Sequence, residues 1–80
     1  MKSVHVHYFA ILREQRGLSR ESLTTLGATP ADLYEELRAR HGFSLPVAQL
    51  RVAINGEFAA WSAPLADEAE VVFIPPVAGG

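Results

Sequence analysis

From Ser3 to Phe9 the apolar residues Val4, Val6 and Tyr8 interleave with His5, His7 and Phe9, a period-two pattern that predicts a first strand with one face turned inward. Ala10 to Arg16 holds helix formers as far as Gly17 and reads as a short turn of helix or a wide loop. Arg20 to Leu26 alternates more weakly. It is expected to pair back on the first strand as a hairpin at a sheet edge and to end at Gly27. The period then changes. Thr29-Pro30-Ala31-Asp32 combines an N-cap threonine, proline at the first helical position and an acid facing the helix dipole, so a helix starts at Pro30. Leu33, Tyr34 and Leu37 form its apolar stripe, Glu35, Glu36, Arg38 and Arg40 lie toward water, and Gly42 stops it. Phe43 is expected to fold back onto Leu37, and Pro46 to Gln49 to form a loop or a single short turn.

Leu50–Ile54 and Glu57–Trp61 flank Asn55-Gly56, the dipeptide suited to a type I′ hairpin turn because both central residues need positive φ. Pro64-Leu65 and Asp67-Glu68 mark turns. Glu70 to Ile74 is apolar on both faces and therefore a central strand. The order is strand, strand, helix, strand, strand, strand. One helix and four or five strands share a core only if the helix packs across one sheet face, and the first and last strands are the most apolar candidates for the middle. Two central strands lying parallel and joined by the intervening crossover give an α+β, β-grasp architecture: a mixed sheet on one main helix. Leu33, Leu37, Val52, Ile54, Val71 and Phe73 are the expected core. Residues 1–80 form one domain with a flexible tail over 75–80.

Composition narrows the function. With 49% hydrophobic and 20% charged residues the 80-residue chain has enough apolar material for one core. Seven Lys and Arg are scattered among nine Asp and Glu, with net charge −2, which leaves no footprint for nucleic acid and suits a protein partner. No apolar run reaches the length of a membrane span, and Met1-Lys2-Ser3 leads straight into a strand rather than a signal-peptide core, so the cytoplasm is expected. Cysteine is absent, which excludes disulfides, thiolate metal sites and any sulfur chemistry on this chain's own thiol.

The candidate chemistry lies at the C-terminus. Pro75-Pro76 removes two backbone donors and fixes φ, so sheet pairing stops there and a stiff, extended exit begins. Val77, Ala78, Gly79 and Gly80 carry little bulk and no side-chain charge, so they can thread a narrow channel, with the Gly80 α-carboxylate as the reactive group at the tip. His5 and His7 share a strand face at the minimum spacing for two metal ligands, but a third ligand is missing, so they read as polar partners and no metal is expected. His41 stands at the helix end, where an imidazolium complements the dipole. Glu35/Glu36 and Asp67/Glu68 read as solvated faces. Phe58 and Trp61 are candidate partner contacts, with Trp61 also suited to the edge of the core.

Tyr8-Phe9-Ala10, Leu12-Arg13-Glu14, Ala53-Ile54-Asn55-Gly56, Leu65 with Glu70-Val71, and above all Pro75-Pro76-Val77-Ala78-Gly79-Gly80 resemble the small subunit of molybdopterin synthase, a ubiquitin-like sulfur carrier. The likeness runs nearly end to end. Where that family has Asp-Gly-Asp-Glu-Val before the last strand, this chain has Asp67-Glu68-Ala69-Glu70-Val71, which puts Glu68 at a position of positive φ. The resemblance implies that an adenylating, E1-like enzyme consumes ATP to join Gly80 to AMP, that no cofactor is held by the chain itself, and that a sulfur donor then leaves a terminal thiocarboxylate. It further implies that the tail inserts into the large subunit of the synthase, in a heterotetramer of two small and two large subunits, and gives its sulfur to cyclic pyranopterin monophosphate. The chain is then a co-substrate and subunit, with the catalytic side chains on its partner. A thiamine-type sulfur carrier, a ubiquitin-like modifier joined to lysine through Gly80, and a plain interaction module are the competing readings.

Overall fold

A computed structural model describes residues 1–76. Its elements are β1 (Lys2–Tyr8), α1 (Ala10–Arg16), β2 (Arg20–Thr25), α2 (Pro30–His41), a 3-10 turn (Val47–Gln49), β3 (Arg51–Ile54), β4 (Glu57–Ala59) and β5 (Ala69–Ile74). The five strands form one sheet in the order β2-β1-β5-β3-β4. β1 and β5 lie parallel in the middle, and the β1–β2, β3–β4 and β3–β5 pairs are antiparallel. This is the ubiquitin-like β-grasp, with β2 at an edge as its weak alternation predicts.

Local chemistry explains the elements. The Asp32 N–H donates to Thr29 Oγ1 at 3.2 Å and caps α2 at its start, and Gly42, at φ 70°, ends it with its N–H on the Arg38 carbonyl. The Asn55-Gly56 turn has φ 52° and 86° at its central residues, the type I′ pattern. Glu68 has φ 65°, a conformation that costs a non-glycine residue roughly 1 kcal/mol. It is held by its N–H on the Ser3 carbonyl and by the Asp67 carboxylate accepting from the Ser3 N–H.

Val4, Val6, Tyr8, Leu12, Leu33, Tyr34, Leu37, Phe43, Val52, Val71 and Phe73 are buried between the sheet and α2. Strand ends shift by one or two residues from expectation, and three places are informative. Ala10–Arg16 takes the helical of its two expected forms, starting from Ala10 at φ 52°, burying only Leu12 and closed by Gly17 at φ 82°. β4 ends at Ala59, two residues early, because Trp61 leaves the strand to stack on Phe73. Ile54 is only partly buried, since it lies beside the hairpin turn where the sheet extends past the main cluster. Phe43 folds back as expected and lies parallel to Tyr34 at 5.9 Å, in the same cluster as Leu37.

Candidate functional site

Proline cannot donate to a ladder, so β5 pairs as far as Ile74, opposite Arg51, and the chain leaves the centre of the sheet at Pro75-Pro76. Pro75 is still buried and Pro76 is exposed. The residues just before the exit are fixed by aromatic packing. The Phe73 ring lies 6.0 Å from Trp61 in a stack and 5.2 Å from Tyr34 edge-on, and the Tyr34 hydroxyl donates to the Leu45 carbonyl at 2.6 Å. The root of the tail is therefore rigid. Val77, Ala78, Gly79 and Gly80, expected to form the inserting tail, lie outside the described residues.

The register sets what surrounds the root. On the sheet face opposite α2, the row at Val72 carries Ala53, Phe58, His7 and Arg20, and the next row toward the exit holds Ile74 and Arg51. Phe58 is 69% exposed and Phe9, which follows β1 at the same end, is 50% exposed. The Arg51 guanidinium sits 5.8 Å from the Phe58 ring centre, and Gln49, Arg51, Ile74, Pro75 and Pro76 line a cleft of about 240 Å³. Of the two expected partner contacts, Phe58 is thus on the open face, whereas Trp61 is turned mainly into the core. Phe9, Ile74 and Arg51 were missed as neighbours of the tail. Phe9 could have been found from the strand parity that places a phenylalanine on the polar side of β1.

From the Val72 row away from the exit, the β1 side of this face is polar. His7 Nε2 lies 2.7 Å from Glu70, and His5 contacts Ser22 Oγ at 2.8 Å and Glu68 at 3.5 Å. The hydrogen bond to His7 lowers the Glu70 pKa below the ordinary carboxylate value. Two histidines with acids beside them extend the sequence reading, yet no cluster of three metal-binding groups occurs among the described residues. His41 stands in the last turn of α2 with its ring 5.8 Å from that of Phe43, and burial, then the Arg16 charge, push its pKa down from the ordinary value. A larger cavity of about 510 Å³ between β2 and α2 lies at the far end of β1 from the exit, and its Glu36 is already bonded to Thr25.

A separate network ties α1 to the sheet. Arg16 donates through Nε and Nη2 to both Glu21 oxygens at 2.8 Å, and the Tyr8 hydroxyl donates to the same carboxylate at 2.6 Å. The Arg16 hydrogen bonds are the largest cause holding the Glu21 pKa at about 2, below the ordinary 4.5, while burial and the acid push the Tyr8 hydroxyl up. A depressed folded-state pKa contributes stability that is full above pH ~4.5 and is lost as pH falls toward ~2. Glu21→Gln is therefore expected to be less stable than the parent by about 1–3 kcal/mol at pH 7, screening included, and the two should converge near pH 2 in urea denaturation. A constant difference between pH 5 and 2 would show that the carboxylate charge is not what Arg16 and Tyr8 hold.

Among the described residues no helix is long and apolar enough to cross a membrane. The ThiS family model matches residues 6–80. No curated protein matches the chain. Among solved structures, a putative molybdopterin converting factor, subunit 1, from Pyrococcus furiosus is 30% identical, with 96% of this chain and 100% of that one covered, at TM-score 0.77. The small archaeal modifier protein 1 of Methanosarcina acetivorans is 25% identical, covering 100% and 98%, at TM-score 0.79. A chain of the BexX/CysO complex of Amycolatopsis orientalis is 25% identical, covering 96% and 99%, at TM-score 0.70.

Proposed function

The chain belongs to the ThiS family, and from that membership we propose that it is a sulfur carrier whose Gly80 carboxyl bears the sulfur in the cytoplasmic synthesis of molybdopterin. The observation that carries this reading is that the family match runs to Gly80, beyond a central strand that ends at Ile74 before Pro75-Pro76. Likeness over the whole length of a molybdopterin converting factor subunit supports the pathway. The absence of cysteine supports a carrier that uses its backbone terminus.

A carboxylate is a poor acyl electrophile. An activating enzyme therefore transfers AMP from ATP to Gly80, releasing pyrophosphate, and a sulfide-level donor attacks the carbonyl carbon and expels AMP. The product is a terminal thiocarboxylate. The Val77–Gly80 segment then enters the large subunit of the synthase, while Phe58, Phe9 and Ile74 around the root supply apolar contact, with Trp61 at its margin. The ATP site and the catalytic side chains belong to the partners. The test is intact mass after incubation with the activating enzyme, ATP and sulfide: one oxygen of the chain should be exchanged for sulfur, and transfer to cyclic pyranopterin monophosphate should restore the original mass. An unchanged mass would refute the reading.

The likeness to a small archaeal modifier protein supports a second reading, in which activated Gly80 is joined to lysine amines of other proteins. Gly80-dependent conjugates in cell extract would favour it, and their absence alongside thiocarboxylate formation would remove it.

A further inference from the structure

Charge on the open sheet face is sorted along the strands. Its acids, Glu68 and Glu70, lie farther from the exit than the Val72 row, each beside a histidine. Its arginines, Arg20 and Arg51, lie in the two rows nearest the exit, although the chain as a whole carries net charge −2. Among the described residues Arg16, Arg38 and Arg40 each have a carboxylate within 4.0 Å, whereas Arg13, Arg20 and Arg51 have none, and of these three only Arg51 pairs directly opposite Ile74 at the root of the tail. Its guanidinium instead lies near the Phe58 ring and borders the cleft with Ile74 and Pro75.

That placement has a consequence for any protein that takes up the tail. The tail leaves from Pro76, and four residues span at most about 14 Å, so a partner that receives Gly80 closes over the root and covers Phe58, Ile74 and Arg51 together. An exposed guanidinium with no acid partner would then lose its water. Leaving a charge buried and unpaired is strongly unfavourable, and a planar guanidinium is satisfied best by a carboxylate that accepts two parallel N–H bonds. Resting near an aromatic ring gives the fork a defined place at little entropic cost.

We propose that Arg51 is a recognition residue that receives a carboxylate side chain of the partner, within an otherwise apolar contact formed by Phe58, Ile74 and Phe9. The inference rests on the sulfur-carrier reading and adds the chemistry of the partner's surface: an aspartate or glutamate bordered by apolar residues, next to the mouth of the channel that admits the tail.

The experiment is calorimetric titration of the full chain with the cognate large subunit of molybdopterin synthase at low and high salt, using the parent, Arg51→Lys, Arg51→Ala and Arg51→Glu. Arg40→Ala, on α2 away from the open face, is the control. Arg51→Ala should raise Kd about tenfold at low salt and less at high salt, Arg51→Lys should recover part of the loss, and Arg51→Glu should raise Kd about a hundredfold. Arg40→Ala should leave it within about twofold. Binding by Arg51→Glu within about twofold of the parent would overturn the proposal, as would a salt-independent loss in Arg51→Ala, which marks an apolar contact. Tighter binding by Arg51→Ala would also overturn it, because the guanidinium would then be occupied by the chain's own Gly80 carboxylate. Failure of the parent to bind strikes the sulfur-carrier reading instead, and with it this inference; a parent that binds while the Arg51 series is flat strikes the inference alone.

Discussion

Deletion of Gly80 is expected to abolish sulfur transfer while leaving the fold and most of the partner affinity intact. The deletion puts a carboxylate on Gly79 that is chemically similar to the original but up to ~3.6 Å short of the reacting centre. Misplacement of even ~1 Å can cost on the order of 100-fold in rate, so the loss should exceed that. The root makes the shortening uncorrectable. Phe73 is fully buried between Trp61 and Tyr34, and Pro75 is buried behind it, so the body cannot pay out an extra residue. One residue added after Gly80 should have the same effect, by displacing the reactive group and crowding the channel. His7→Gln, which alters the Glu70 contact on the β1 side of the open face, should retain transfer. A reconstituted assay decides the matter: molybdopterin formed at the parent rate by the shortened chain would refute a role for the terminal carboxyl, as would loss of transfer in a folded His7→Gln protein.

Much of this arrangement is legible in the sequence because its signals are local. Alternation marks β1, the Thr29 cap and Gly42 bound α2, and Asn55-Gly56 fixes the hairpin and hence the β3–β4 register. The apolar run before Pro75-Pro76 places the tail on a central strand. α1 was less legible because it lacks a side-chain cap and buries only Leu12, so no stripe announces it. The end of β4 was missed because a tertiary contact, Trp61 on Phe73, overrides the strand propensity of the segment. The charged contacts were hidden for a different reason. Which acid meets His5 or His7 depends on the parallel β1–β5 register, and the Tyr8–Glu21–Arg16 network needs β1, β2 and α1 to converge. The isolation of Arg51 beside the tail is likewise a fact of register, since Arg51 reaches that position only through its pairing opposite Ile74.

Phe73→Ala should be the most destabilising of the substitutions considered, and its contrast with Phe58→Ala separates the two sides of the sheet. Phe73 is completely buried, packed on Trp61 at 6.0 Å and Tyr34 at 5.2 Å, and opposite Tyr8 in the central parallel pair. Truncating a buried phenylalanine costs about 3–5 kcal/mol, from lost transfer free energy and from the cavity left where three aromatic rings meet. Small domains have only about 5–15 kcal/mol in total, and ~1 kcal/mol moves the midpoint of a domain this size by about 4–8 °C, so a fall of roughly 15–30 °C is expected. Phe58 is 69% exposed, and its removal should change stability by no more than about 0.5 kcal/mol. Its effect should appear in the complex, where loss of an apolar anchor beside Arg51 raises Kd by about tenfold or more. Thermal denaturation and titration with the large subunit, run on both variants, give opposite orderings if the inner face of the sheet holds the fold and the outer face holds the partner. A Phe73→Ala midpoint within about 5 °C of the parent would show that the aromatic cluster does not anchor the tail root, and equal binding by Phe58→Ala would remove the open face from the interface.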